Sequence, residues 1–546
     1  MPRFAVLILA LLVSTAAHAQ SGEDPAREAP DARGVVWAAP VDARAAALEL
    51  VRIRAAGFDA VRTGPVTNER VLRTADSLGL ALYQELPVEH ASAAGLRAAL
   101  PGARRMLDGL LARARKHPSA RAFGLARRAD TSDPAACAYF DTLTTRVRAS
   151  GLPGARTYYV GAFVEADRCA RSVDVVLLPT RDDAAPERRL ERWARAHGTP
   201  VGLAAVGFRV QPGARGLRAV RSPEAQARAF ETVFARADGL AAPLFVYRWR
   251  DGRAALADEP FDEHYGLLDA AGRSRPALRV VRGALVGEPA LLSFEGGGRE
   301  GRTPWLVLGF WLAVGLIALV YAVEPRVRAL VPRYFRAHGF YREGVRDARD
   351  TLALQTLALT VAVALLTGVL WAALAAAFRE QPAFEFAFAG LAGGVASAFA
   401  GLLARPGLLV LAVAVVHAGM MTLWAVLFYV AAPRRYLVGV WQALALIVWP
   451  RWTTLPLALA ALLARTLPAE RALDAALVVA GAWAACALWA MLRTLADFTL
   501  AARLPLLRTA ALAFAHPLVL GALLVVFGTL DYGAEFAFLT HLATRS

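Results

Sequence analysis

Short apolar runs alternate with stretches of helical period through the first half of the chain, and long unbroken apolar stretches replace them in the second. Residues 57–87 show the first pattern most clearly. Positions 58–62 form a short β-branched and apolar run that ends in a charge, which reads as a buried strand. Glu69–Leu78 carries Val71, Leu72, Ala75 and Leu78 at helical spacing, and Gly79 is placed to close that helix from a left-handed conformation. Positions 80–83 form a second buried strand, with Glu85 and Pro87 where it emerges. Strand, helix, parallel strand is a βαβ unit.

The same rhythm runs on either side. Strands are expected over 34–40, 121–125, 156–163, 173–179, 200–207 and 244–249. Helices are expected over Ala43–Ala55, 92–116, 186–197 and Pro223–Ala237. Eight strands alternating with helices over about 250 residues predict an α/β fold, a (β/α)8 TIM-type barrel over 34–287. Residues 20–33 and 288–303 are polar and read as linkers, so Gly296–Gly298 is not a phosphate loop.

Residues 304–546 predict an all-α polytopic transmembrane bundle of about six spans. Those are Trp305–Val323, 352–378, 408–430, 436–464, 472–492 and 509–530. The fourth has Trp449-Pro450-Arg451-Trp452 in its middle and is one kinked span or two half-helices. Residues 384–403, rich in Gly, Ala and Phe, read as interfacial or re-entrant. Gln355, His417, Gln442, Arg451 and His516 are the polar groups inside these segments, with no carboxylate at the centre of a span. Snorkelling explains Arg451 most simply, and bundle hydrogen bonds explain the two histidines.

Charge adds the topology. The net charge of +16 comes from 61 basic residues, of which Lys116 is the only lysine. An arginine-dominated excess in an Ala- and Leu-rich chain reflects compositional bias and membrane topology, so nucleic acid is not an expected partner. Arginines crowd residues 326–349, directly after the first span, and mark the cytoplasmic side. Arg3, the apolar run 4–13 and Ala17-His18-Ala19 form a signal peptide over 1–19. Both signals put the barrel in the periplasm of a bacterial inner-membrane protein. In that oxidising space Cys137 and Cys169 are able to pair, though spacing does not establish that they do; Cys486 reads as core filler.

The motif "GFDAVRT…ADSLGLALYQELP" over 57–87 resembles the second and third strands of the catalytic barrel of glycoside hydrolase family 2. His117-Pro118-Ser119 is similar to that family's lead-in to the fourth strand, 245–251 to its last strand, and 265–277 to its closing segment. The resemblance covers about half of the chain and implies a barrel acting on glycans. It leaves 304–546 untouched.

Hydrolysis with retention needs two carboxyl groups about 5–5.5 Å apart. By the resemblance, the acid/base falls on Arg128, in the pair Arg127-Arg128, and the nucleophile on Ala205, in 200–207. A guanidinium donates no proton at accessible pH, and a methyl group attacks nothing. The catalytic pair is therefore expected to be lost. Glu85 and Asp251 are the weak substitutes, and Glu89, Asp130, Glu165 and Asp182 are rim carboxylates. Arg62 matches the family's arginine beneath the site and is either that or a buried partner of Glu85. Trp37, Tyr159, Tyr247 and Trp249 are ring candidates for stacking on a sugar. His117 reads as structural. No metal-ligand spacing or Ser-His-Asp signature is present, and no cofactor is expected. The expectation is a glycosidase-like barrel that binds or senses glycans, or scaffolds envelope partners, in a chain held in the lipid bilayer and able to self-associate. An active hydrolase with displaced carboxylates, and a membrane carrier or assembly factor with an accessory barrel, stay open beside it.

Overall fold

The computed structural model describes residues 32–545, apart from 212, 220, 238–241, 253–263, 289–293, 295–303, 348–352, 380, 390–392, 434–438, 468 and 532. The expected signal peptide, most of both linkers, and Arg434 with Arg435 lie outside the described residues. The chain divides into two compact units, a barrel and a set of apolar helices.

Eight parallel strands close into a barrel in chain order, with the last pairing back onto the first. They are β1 Arg33–Val36, β2 Ala60–Thr63, β3 Ala81–Glu85, β4 Ala122–Arg127, β5 Arg156–Val160, β6 Val175–Arg181, β7 Val201–Gly207 and β8 Leu244–Val246. The helices around them are α1 Ala43–Ala55, α2 Glu69–Leu78, α3 Ala93–Ala114, α4 Cys137–Ala149, α5 Glu187–Ala196, α6 Pro223–Ala237 and α7 Pro276–Val286. This is the expected (β/α)8 arrangement. Strand ends are where it departs from the pattern. β4 and β6 run on through polar and charged residues to Arg127 and Arg181, because ladder pairing such as Arg181 with Gly207 continues past the apolar run. β8 stops at Val246 and β5 at Val160, although apolar residues follow both.

Local chemistry sets the helix boundaries. The Asn68 side chain accepts the Arg70 N–H at 3.0 Å at the start of α2, and Gly79 ends it with φ +63°. Asp42 and Ser92 cap α1 and α3 in the same way, accepting from Ala45 N–H at 2.8 Å and Gly95 N–H at 3.1 Å. Inside the barrel, Val36, Ala60, Tyr83, Tyr158, Leu177, Ala205 and Phe245 belong to one cluster fed from nearly every strand. Gly124 in β4 makes room for it, since a methyl group there would stand 2.7 Å from Glu85 Cγ and 2.8 Å from Tyr158 Cζ. Cys137 and Cys169 form a disulfide that ties the start of α4 to the approach to β6, which settles the pairing spacing had left open.

Among the described residues of the helical unit, five helices are long and apolar enough to cross a membrane: Trp305–Val323, Ala353–Phe378, Pro406–Ala431, Val440–Ala464 and Arg471–Ala502. Val440–Ala464 is one apolar run through a 3₁₀ turn at Trp449–Thr453, the kinked-span alternative. The expected sixth span, 509–530, is broken instead. Leu506–Phe514 and Leu518–Phe527 meet at a bend of 65°. The break falls at Ala515 and His516, just before Pro517, whose ring cannot continue a helix from the preceding turn. The described residues of 384–403 fall on two short helices, Pro382–Ala389 and Gly393–Leu403. The helix expected to end at Leu492 continues to Ala502 and carries Asp497, which is buried.

Candidate functional site

Barrel sites form where strand C-termini meet the following loops. At those ends lie Arg62 on β2, Glu85 on β3, Arg127 and Arg128 at the end of β4, Arg181 at the end of β6 with Asp182 after it, Arg209 after β7 and Arg248 after β8.

Arg62 reaches across the barrel. Its Nη1 donates to the Ala204 carbonyl of β7, and its Nε lies 3.0 Å from Glu85 Oε1. Arg62 thus pairs with Glu85, the buried ion-pair alternative, and also meets the β7 backbone beside Ala205. Glu85 is 1% exposed, its Oε2 is 3.4 Å from Arg127 Nε, and Tyr158 Oη donates to its Oε1 at 3.4 Å. Arg127 also pairs with Glu89. The result is a buried chain Arg62–Glu85–Arg127–Glu89 in which each guanidinium neutralises a carboxylate that is costly to bury alone. Burial, aided by the Glu85 charge, pushes the Tyr158 hydroxyl well above its usual range, so it stays a proton-bearing donor.

The two positions singled out for catalysis hold what the sequence says. Arg128 follows β4 with φ +50° and is buried, and Ala205 packs in the interior cluster on β7. Asp251 lies beyond β8. It is paired with Arg275, lies 3.4 Å from His264 Nδ1 and accepts the Gly266 N–H at 2.7 Å. Burial acts to raise its pKa, but the His264 hydrogen bond, the Arg275 charge and the Gly266 N–H outweigh it and hold the carboxyl below its usual range. An acid held ionised in this way is a poor proton donor.

The remaining carboxylates are scattered. Asp182 accepts from the Arg209 N–H at 2.9 Å and from Tyr265 Oη. Asp130 accepts from Ser132 Oγ at 2.6 Å. Glu165 is exposed and 4.0 Å from Arg192. Trp37, Tyr159, Tyr247 and Trp249 are each 4% exposed or less. Trp37 Nε1 donates to Glu49 at 2.8 Å, Tyr159 Oη donates to Asp167 at 2.8 Å, and Trp249 meets Phe58 edge to face at 6.5 Å. Tyr247 lies under the Arg181 guanidinium at 5.7 Å. Packing accounts for all four, and as placed none offers a ring face to a sugar.

Sequence reasoning missed two carboxylates. Asp167 is buried and accepts from Thr131 Oγ1, Tyr159 Oη and the Cys169 N–H; burial raises its pKa more than these bonds lower it. Asp497 in the helical unit is 2.9 Å from His338 Nε2, with Arg342 at 3.9 Å and Arg493 at 3.7 Å. Neither has a motif around it; Thr131 for Asp167 and His338 for Asp497 are partners distant in sequence. Gln355 donates to Glu324 at 3.2 Å, and Gln442 donates to the Val345 and Arg346 carbonyls at 2.9 Å, so both are structural. Among the described residues no group of three His, Cys, Asp or Glu side chains gathers as metal ligands would.

One cleft of about 1000 Å³ lies among the described residues between the loop after β7 and the closing segment. Arg215, Glu224, Asp251, His264 and Arg275 line it. It is wide enough for several sugar rings, since whole small-molecule ligands fit pockets of about 300–1,000 Å³.

No protein-family model matches the chain, and no curated protein matches it. Solved structures do. A family 2 β-galacturonidase from Eisenbergiella tayi bound to galacturonate is 16% identical with a TM-score of 0.42, over 49% of this chain and 52% of that one. A β-glucuronidase from an uncultured Clostridium sp. is 19% identical with a TM-score of 0.38, over 44% and 46%. The β-glucuronidase of Ruminococcus gnavus, in complex with D-glucaro-1,5-lactone, is 16% identical with a TM-score of 0.42, over 47% and 50%. The chain spans about half the length of these solved structures. Likeness at this level carries no argument about activity, and the closed parallel barrel rests on its own strand pairing.

Proposed function

We propose that the chain is a multi-pass inner-membrane protein whose barrel, residues 34–287, stands on the periplasmic side and binds a glycan without cleaving it, while residues 304–546 anchor it in the bilayer. One observation carries this reading. The strand ends that would supply two opposed carboxylates supply Arg128 and Ala205, and Glu85 is shut between Arg62 and Arg127. Retention and inversion both need two free carboxyl groups flanking one bond. The arginine-rich segment after the first apolar helix and the Cys137–Cys169 bond support the orientation.

Charge at the strand ends is nearly balanced: Arg62, Arg127, Arg128, Arg181, Arg209 and Arg248 stand there with Glu85, Glu89, Asp130, Asp182 and Asp251, and Arg62 and Arg127 are already paired. Net charge therefore does not choose between neutral and acidic glycans, and the test includes both. The test uses the full chain in lipid nanodiscs. Binding on an array of neutral and acidic glycans, with no release of aglycone from a panel of aryl glycosides, is the expected result. Turnover that disappears in Glu85→Gln or Asp251→Asn would replace this reading with that of a hydrolase using displaced carboxylates.

A further inference from the structure

The helical unit holds a partly open cavity of about 250 Å³ with an unusual lining. Thr367, His417, Trp424, Arg451, Trp483 and His516 face it, and among the described residues no acidic side chain does. The contributing positions sit at matching depths. Thr367 is near the middle of Ala353–Phe378, His417 near the middle of Pro406–Ala431, and Arg451 in the central turn of Val440–Ala464. His516 joins them because the helix breaks there. The cavity is therefore at mid-depth in the apolar helices, where a charge is most expensive.

Arg451 is poorly compensated for such a place. Its Nη1 donates to the Ile447 carbonyl of its own helix, and its guanidinium stands 5.9 Å from the centroid of the Trp424 ring. Neither contact supplies negative charge. His516 Nδ1 accepts the Leu518 N–H at 3.2 Å, which leaves the ring proton on Nε2 as a donor. The His516 ring meets Trp424 edge to face at 4.4 Å, so its position is held. A cationic fork and two imidazoles thus share one space with no carboxylate among the described residues that line it.

We infer that this cavity binds an oxyanion, and that its natural occupant is the phosphate head of an amphiphile. Arginine matches phosphate with two parallel hydrogen bonds, and the desolvated setting strengthens them. The volume lies below the about 300–1,000 Å³ of pockets that enclose a whole small molecule, so it takes a head and leaves a chain outside. Trp424 and Trp483, with Met420, Met421 and Leu518, make the rest of the lining largely apolar, as an acyl chain requires. The site is independent of whatever the barrel binds.

The test uses the full chain in nanodiscs of phosphatidylcholine, alone or with a tenth of the lipid replaced by phosphatidic acid. Native mass spectrometry should find one phosphatidic acid retained per chain, and the melting midpoint should rise by roughly 5–10 °C. Arg451→Gln should retain at least tenfold less, Arg451→Lys an intermediate amount, and His516→Gln less than the parent. The His516 variant decides the matter if Arg451→Gln fails to fold. The same midpoint shift produced by inorganic phosphate in plain phosphatidylcholine would support the oxyanion site and make the free ion its occupant. Equal retention by the parent and the folded variants, or no response to either source, would overturn the proposal.

Discussion

His117 Nδ1 lies 2.6 Å from Asp76 Oδ2, and Asp76 Oδ1 accepts the Ser119 N–H at 3.0 Å. Two motifs that stand 41 residues apart, the Asp-x-Leu-Gly end of α2 and the His-Pro-Ser lead-in to β4, are one interaction. Glu69, at the other end of α2, completes it at 2.9 Å from His117 Nε2. Burial acts to raise the Asp76 pKa, but hydrogen bonds from Ser119 and His117 outweigh it and hold the carboxyl below its usual range. Asp76→Ala removes both acceptors and should cost about 1–3 kcal/mol. A drop of roughly 5 °C in the barrel's melting midpoint is the expected outcome, and an unchanged midpoint would show the contact to be incidental.

Glu85→Gln keeps the shape of the side chain and removes its charge. Arg62 and Arg127 are then buried with less counter-charge, and breaking such a network costs about 3–5 kcal/mol. Thermal melting should fall by about 10 °C. A variant as stable as the parent would mean that Glu89 and the Ala204 carbonyl suffice to hold the two arginines.

Acid should loosen the closing segment through Asp251. Its folded pKa is depressed, so the folded state keeps the charge to lower pH than the unfolded chain does. The stabilisation is complete above the unfolded value of about 3.9 and fades as pH falls through the folded one. Stability measured from pH 6 to pH 2 should therefore fall more steeply for the parent than for Asp251→Asn. Parallel curves would remove Asp251 from the account.

Thiol counting checks the disulfide. Denatured without reductant, the chain should expose one alkylatable thiol, Cys486, and after reduction three. Closing a loop of 32 residues stabilises by about 3–4 kcal/mol, so Cys137→Ser paired with Cys169→Ser should melt visibly earlier. Three reactive thiols before reduction would contradict both the bond and an oxidising location.

Orientation is open to labelling. On a background with Cys486→Ser, Arg336→Cys should resist a membrane-impermeant maleimide in intact cells and react after lysis, whereas Arg52→Cys in the barrel should react in both. The reverse pattern would place the barrel in the cytoplasm and remove the case for a periplasmic glycan.

Periodicity along the chain was enough to determine the alternation of strands and helices, the closing Gly79, and the change to long apolar helices at Trp305. These are local properties: a repeat of two or 3.6 residues is written in neighbouring side chains, and so are caps and spans. The motif around Arg62 likewise pointed to the barrel and to Glu85 as a partner. Pairing between distant elements was decided only by the tertiary structure. It extended β4 and β6 past their apolar runs, buried the four rings that the sequence offers as sugar platforms, and joined Cys137 to Cys169. It also brought Arg451, His417 and His516 from three segments into one cavity. A side chain's type sets what it is able to bind, but its partners depend on which elements lie against it, and no window of sequence contains that.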